Sequence, residues 1–177
     1  MRFSMTDTML KGVVGLASPS GRRARLSILI YHRVLAQDDP INNWDATAGV
    51  FEAHMRALAA NFSPLLLSDA VARLANGSLP ARAACVTFDD GYADNVEVAL
   101  PILMRHGIRA AFFIASGYLT GRRMWNDTVV EAVRRRHGLG WQHSFATVPH
   151  VTQPCNHLTS ESLARYPDFI AELPSEP

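Results

Sequence analysis

Val86-Thr87-Phe88-Asp89-Asp90-Gly91-Tyr92-Ala93-Asp94-Asn95 joins an apolar run to two adjacent acids, a glycine and then a helical pattern. Ala83 to Phe88 is short and apolar, which reads as a buried strand. Asp89 and Asp90 then stand at its C-terminal end, and Gly91 opens a tight turn. In α/β proteins that edge of the sheet is where catalytic groups gather. Two carboxylates at the mouth of a buried strand are costly unless something pairs with them, and a metal ion is the common compensation. One acid would hold the ion while its neighbour stays free as a base.

The chain on either side of this stretch alternates between two periods. Leu26 to Tyr31 is a largely apolar run, read as a buried strand, with His32 and Arg33 directly after it. Thr47 is placed to cap a helix with Phe51, Met55, Leu58 and Phe62 on one stripe and His54 off it. Pro64 to Leu67 is a short strand. Ser68 caps a helix with Ala70, Val71 and Leu74 inward, stopped by Asn76-Gly77. Beyond the acids, Val96, Leu100, Leu103 and Met104 form a helical stripe; Pro101 requires a kink or a start near Leu100. His106-Gly107 ends it, with Gly107 left-handed. Ala110 to Ala115 is another buried run. Asn126 or Asp127 then caps a helix bearing Val129, Val130 and Val133, which Gly138 ends. Strand–helix alternation of this kind predicts an α/β fold with a parallel sheet covered by helices.

Residues 1–25 lack a sustained period and read as a loose leader; residues 139–177 hold five prolines and read as an irregular tail. A hydrophobic share of 48% in 177 residues suffices for one domain with a sizeable core. A net charge of +1 gives no field for recruiting nucleic acid or an acidic membrane. Arg134-Arg135-Arg136 is a basic run at a helix end, where cations suit the dipole and are solvated. Cys85 reads as a buried core thiol, and two cysteines make no disulfide framework. No run reaches transmembrane length. With no clear signal peptide the expected compartment is the cytoplasm, with the cell envelope or secretion as the alternative.

An ordered set of motifs resembles the polysaccharide deacetylase family, carbohydrate esterase family 4, in its bacterial exopolysaccharide-locus branch. The set is Tyr31-His32-Arg33-Val34, Thr87-Phe88-Asp89-Asp90-Gly91-Tyr92 with Asp94-Asn95, Leu100-Pro101-Ile102-Leu103 with His106-Gly107, Ala110-Ala111-Phe112-Phe113-Ile114 with Gly117, and Met124-Trp125-Asn126-Asp127. The resemblance covers Leu26 to Arg136 and marks residues 26–138 as the N-terminal part of such a domain. It implies a partial, distorted (β/α) barrel and hydrolysis of N-acetyl or O-acetyl groups on a polysaccharide. It further implies Asp89 as general base and Asp90 as ligand to a divalent metal, zinc above all. His32, Arg33, Tyr92 and Trp125 would bind substrate or support the site.

Each of these four residues also has a plainer reading. His32 fits a structural histidine, Arg33 a surface salt bridge, and Tyr92 and Trp125 core packing. Asp94 fits a helix N-terminal acid near the dipole. The family's His-x-x-x-His metal motif is absent from the sequence: His137, His143, His150 and His157 are never four apart. The chain is therefore expected to be a C-terminally truncated or altered member, with open strand edges. A remnant that binds sugar or a partner without catalysis is the competing reading. A phosphoryl-transfer enzyme with Asp89 as nucleophile fails on spacing, since Gly91 stands where a second Asp would be needed.

Overall fold

The computed structural model describes residues 5–118 and 123–136. Its elements run α1 (Met5–Ala17), β1 (Ser27–Tyr31), β2 (Val34–Leu35), β3 (Ala46–Thr47), α2 (Ala48–Asn61), β4 (Ser63–Pro64), α3 (Leu67–Ala75), β5 (Ala83–Phe88), α4 (Leu100–His106), β6 (Ala110–Phe112) and α5 (Trp125–Arg136). The order is the expected alternation, and every paired strand is parallel.

β5 is the strand on which the sheet is built. β1 lies along one side, from Ser27 against Ala84 to Tyr31 against Phe88. On the other side β4 pairs with Ala83 and Ala84, and β6 takes over from Val86 to Phe88. All six β5 residues are buried, which is why the run lacks polar alternation. Ala84, Val86 and Phe88 pack with Phe51, Met55 and Leu58 of α2 and with Ile102 and Leu103 of α4. Ala83 and Cys85 join Ala70 of α3 and Leu79 in a second cluster.

The register places the last residues of three neighbouring strands in one row: Tyr31, Phe88 and Phe112. Their rings stack, with centroids 5.5 Å apart for Tyr31–Phe88 and 4.8 Å for Phe88–Phe112. Phe51 meets Tyr31 and Phe88 edge-on, at 4.9 Å and 5.7 Å. Contacts of this kind add about 0.5–1.5 kcal/mol each beyond area burial. The row underlies the sheet's C-terminal rim, because the next residue of β5 is Asp89.

Local signals placed most helix ends. Thr47 accepts from the Val50 amide, so it caps α2. Gly107 sits at φ 63°, ψ 29° after α4, and Gly77 at φ 71° after α3. α4 starts at Leu100 with Pro101 in its first turn, preceded by a π-helical turn at Asn95–Ala99.

Several expectations need correction. Residues 5–17 of the supposed loose leader form α1, which packs against α2. β1 is buried on one face only: Ile28 and Ile30 are exposed, on the side away from the α2–α4 core. Val71, Leu74, Met104, Val129 and Val133 are exposed too, because no described element covers those helix faces. α3 begins at Leu67, so Ser68 lies inside its first turn instead of capping it. The strand expected at Pro64–Leu67 is Ser63–Pro64, and that expected at Ala110–Ala115 stops at Phe112. Arg134 is buried and paired with Asp39 and Glu131 instead of being solvated. The 139–177 tail lies outside the described residues. Among the described residues no helix is long and apolar enough to cross a membrane.

Candidate active site

Asp89 and Asp90 stand where the sequence places them, at the C-terminal end of the central strand. The Asp89 amide donates to the Tyr31 carbonyl at 2.8 Å, continuing the β1 ladder one residue past the strand. Phe113 donates to the Phe88 carbonyl at 2.8 Å, and Ala115 donates to the Asp90 carbonyl at 3.4 Å. The acidic turn is thus fastened on both flanks.

Asp90 and Gly91 are both left-handed, with φ 73° and 72°. For Gly91 this is free of cost; for Asp90 it costs about 1–2 kcal/mol, which Asp bears better than most residues. A Cβ at Gly91 would come within 2.9 Å of Ile114 Cδ1 and 3.2 Å of its Cγ2, so the Ile114 side chain would have to shift as well. Both carboxylates are half-buried. Among the described residues neither makes a side-chain hydrogen bond or ion pair. Asp90 and Arg82 are the non-glycine residues with positive φ among the described residues.

Behind the turn lies a buried polar network. Arg33 donates from Nε to Asp94 Oδ2 at 2.8 Å, and the Val34 amide donates to Asp94 Oδ1 at 3.3 Å. With its nitrogen oriented to satisfy its neighbours, the Asn95 amide donates to the His32 carbonyl at 3.0 Å and to Asp94 Oδ1 at 3.2 Å. The guanidinium of Arg33 also lies 4.7 Å from the centre of the Tyr92 ring, a cation–π contact. Asp94 and Asn95 thereby pin the His32–Val34 loop after β1 to the segment after β5. Burial pushes the Asp94 carboxyl up to about 6, against the pull of Arg33 and the Val34 amide. Burial lowers Arg33, but Asp94 outweighs that and holds the guanidinium above its ordinary value. The pair is ionic at neutral pH on either count.

The sequence-predicted residues separate accordingly. Arg33 answers Asp94 instead of a surface partner, and Asp94 is an ion-pair residue instead of a dipole-facing one. Tyr92 is 2% exposed, with its ring under Arg33, so it supports the turn from behind. Its hydroxyl donates to Asp127 at 3.2 Å and 3.3 Å to the two oxygens and lies 3.7 Å from Met124 Sδ. Burial, and then the Asp127 charge, raise the Tyr92 pKa, so it stays a donor. His32 is exposed at the rim. Trp125 is 77% exposed and lines a cavity with Gly117, Tyr118, Arg123, Thr128 and Val129. Asp89 and Asp90 do not line that cavity. Sequence reasoning missed the roles of Asn95 and Asp127; the motif order that carries them was visible, but their pairing was not.

Among the described residues no group of three or more His, Cys, Asp or Glu is placed to hold an ion. Two neighbouring aspartates alone do not make the three- or four-ligand cage that zinc takes, so the described residues do not by themselves fit that ion. His137, His143, His150 and His157 lie outside the described residues.

A family model described as polysaccharide deacetylase matches residues 76–173, more than half of the chain. The match takes in Asp89 and Asp90 and runs beyond Arg136; Arg33 lies before it. The chain is 34% identical over 93 residues to the Bacillus subtilis (strain 168) protein YxkH, named as a polysaccharide deacetylase, over 51% of this chain and 32% of that one. The chain therefore spans about a third of the length of that relative. Among solved structures it is similar to a de-N-acetylase from Aggregatibacter actinomycetemcomitans, with a TM-score of 0.47, 24% identity, and 64% of this chain and 52% of that chain covered. It is likewise similar to IcaB from Ammonifex degensii, with a TM-score of 0.46, 25% identity, and coverage of 61% and 43%.

Proposed function

Since the chain belongs to the polysaccharide deacetylase family, we propose that it hydrolyses acetyl groups from a sugar polymer, with Asp89 as the general base. The observation that carries this is the strained turn at the rim of β5, with two half-buried carboxylates that have no partner among the described residues. Asp89 takes a proton from the attacking water. The water oxygen bonds to the acetyl carbonyl carbon, the bond to the sugar nitrogen or oxygen breaks as that atom takes up the proton held by Asp89, and acetate leaves. Tyr92, Arg33 and Asp94 hold the turn from behind, so the base does not have to be ordered at the moment of reaction.

A divalent ion, zinc first, belongs to this proposal with Asp90 as its one named ligand. The experiment is acetate release from an acetylated glucosamine oligomer, run beside a zinc titration of the full chain. Asp89→Asn should abolish release and spare zinc uptake, whereas Asp90→Asn should impair both. Undiminished release from either variant ends the assignment. The second reading, a sugar-binding remnant without catalysis, is favoured by the incomplete donor set among the described residues; it is upheld if the wild type takes up no zinc and releases no acetate.

A further inference from the structure

We propose that the cavity between the turn after β6 and the start of α5 is a subsite for an acidic sugar, a neighbouring unit in the polymer that Asp89 and Asp90 act upon. The cavity holds about 770 Å³, within the range of roughly 300–1,000 Å³ usual for ligand sites. The proposal rests on the deacetylase reading for the identity of the polymer, and on the cavity itself for the charge.

Three side chains decide the chemistry. Trp125 leaves its indole 77% exposed at the cavity wall. A flat apolar surface with a polar edge is suited to the C–H face of a sugar ring. Thr128 turns its hydroxyl back onto the Met124 carbonyl at 3.0 Å, so it is already engaged within α5. Arg123 is half-buried and makes no hydrogen bond or ion pair among the described residues. Arg33, Arg105 and Arg134 each have a carboxylate partner, and no acid is among the described residues lining this cavity. A half-buried guanidinium calls for an anion, and its planar fork matches a carboxylate better than a hydroxyl.

The cavity is coupled to the acidic turn on two sides. Asp127, two residues beyond Trp125, accepts from Tyr92, two residues beyond Asp90. Ala115, two residues before Gly117, donates to the Asp90 carbonyl. Both cavity walls are therefore referenced to the same turn, which fixes the spacing between the bound acid and the acetyl group to be removed.

The test uses the full chain and two tetrasaccharides of equal length, one from hyaluronan with alternating glucuronate and N-acetylglucosamine, the other neutral chitotetraose. Binding is followed by calorimetric titration at low salt. The wild type should favour the acidic probe by about tenfold, the scale of one charge-assisted contact. Arg123→Gln should equalise the two probes, and Trp125→Ala should weaken both. Arg56→Gln, an equal loss of charge on an exposed face of α2, should leave the preference intact. Equal binding by the wild type, a preference that survives Arg123→Gln, or one that Arg56→Gln removes would overturn the subsite. Acidic preference without acetate release from either probe would sink the deacetylase reading and leave the subsite standing. Acetate release without preference would do the reverse.

Discussion

Replacing Arg33 by Met would strip the partner from a carboxylate that is 5% exposed. The methionine keeps much of the apolar stem, so the change falls mainly on the charge. Breaking a buried pair by removing one member costs about 3–5 kcal/mol, because an uncompensated ion remains inside. For a chain of this length that is a fall in Tm of roughly 6–20 °C at about 2–4 °C per kcal/mol. The cost should depend on pH. Asp94 in the folded protein is pushed up to about 6 by burial, above its ordinary 3.8. The folded state therefore binds this proton more tightly than the unfolded chain does. The stability tied to it is fully present below about 4 and is lost as pH rises through about 6. Without Arg33 the downward pull vanishes, the Asp94 value climbs further, and the loss continues to higher pH. Urea unfolding at pH 5 and pH 8 should show the Arg33→Met deficit growing with pH. Pairing it with Asp94→Leu should recover part of the loss: the uncompensated charge goes, but the Val34 amide and the Asn95 side chain lose their acceptor. A deficit that is the same at both pH values, or a double variant whose losses simply add, would refute the argument.

Gly91→Ala should destabilise by about 1–3 kcal/mol in denaturant titration, through its left-handed φ and the 2.9 Å approach to Ile114 Cδ1. Asp90→Gly should do the opposite, raising stability by up to about 1 kcal/mol as the φ 73° strain is released, while acetate release is lost. Phe88→Ala should cost about 3–5 kcal/mol, since it opens the middle of the stacked row as well as the core; a cost under 1 kcal/mol by urea unfolding would show that the row contributes little.

What the sequence revealed was local. An unbroken apolar run ending in two acids gave β5 and its rim, and Thr47, Gly77 and Gly107 each announced a helix end through their own backbone chemistry. What stayed hidden was anything settled by elements meeting far along the chain. Arg33 and Asp94 are 61 positions apart, and no local pattern says that one will bury the other. The Tyr31–Phe88–Phe112 row depends on register, which neither strand carries alone. Val71, Leu74 and Met104 sit on helical stripes that look inward in sequence, yet which face is covered is decided by the neighbours. The leader failed as a sequence signal because Gly12 and Gly15 disrupt its period, although α1 forms all the same.

The acidic turn takes its backbone partners from β1 on one side and from the residues after β6 on the other. No segment of the chain can shape it alone, so during synthesis the turn stays unformed until the β6 stretch has left the ribosome and paired with β5. Parallel pairing across such separations is slow to nucleate. The pair of acids should thus be among the last parts of the nascent chain to mature, well after α2 has coiled.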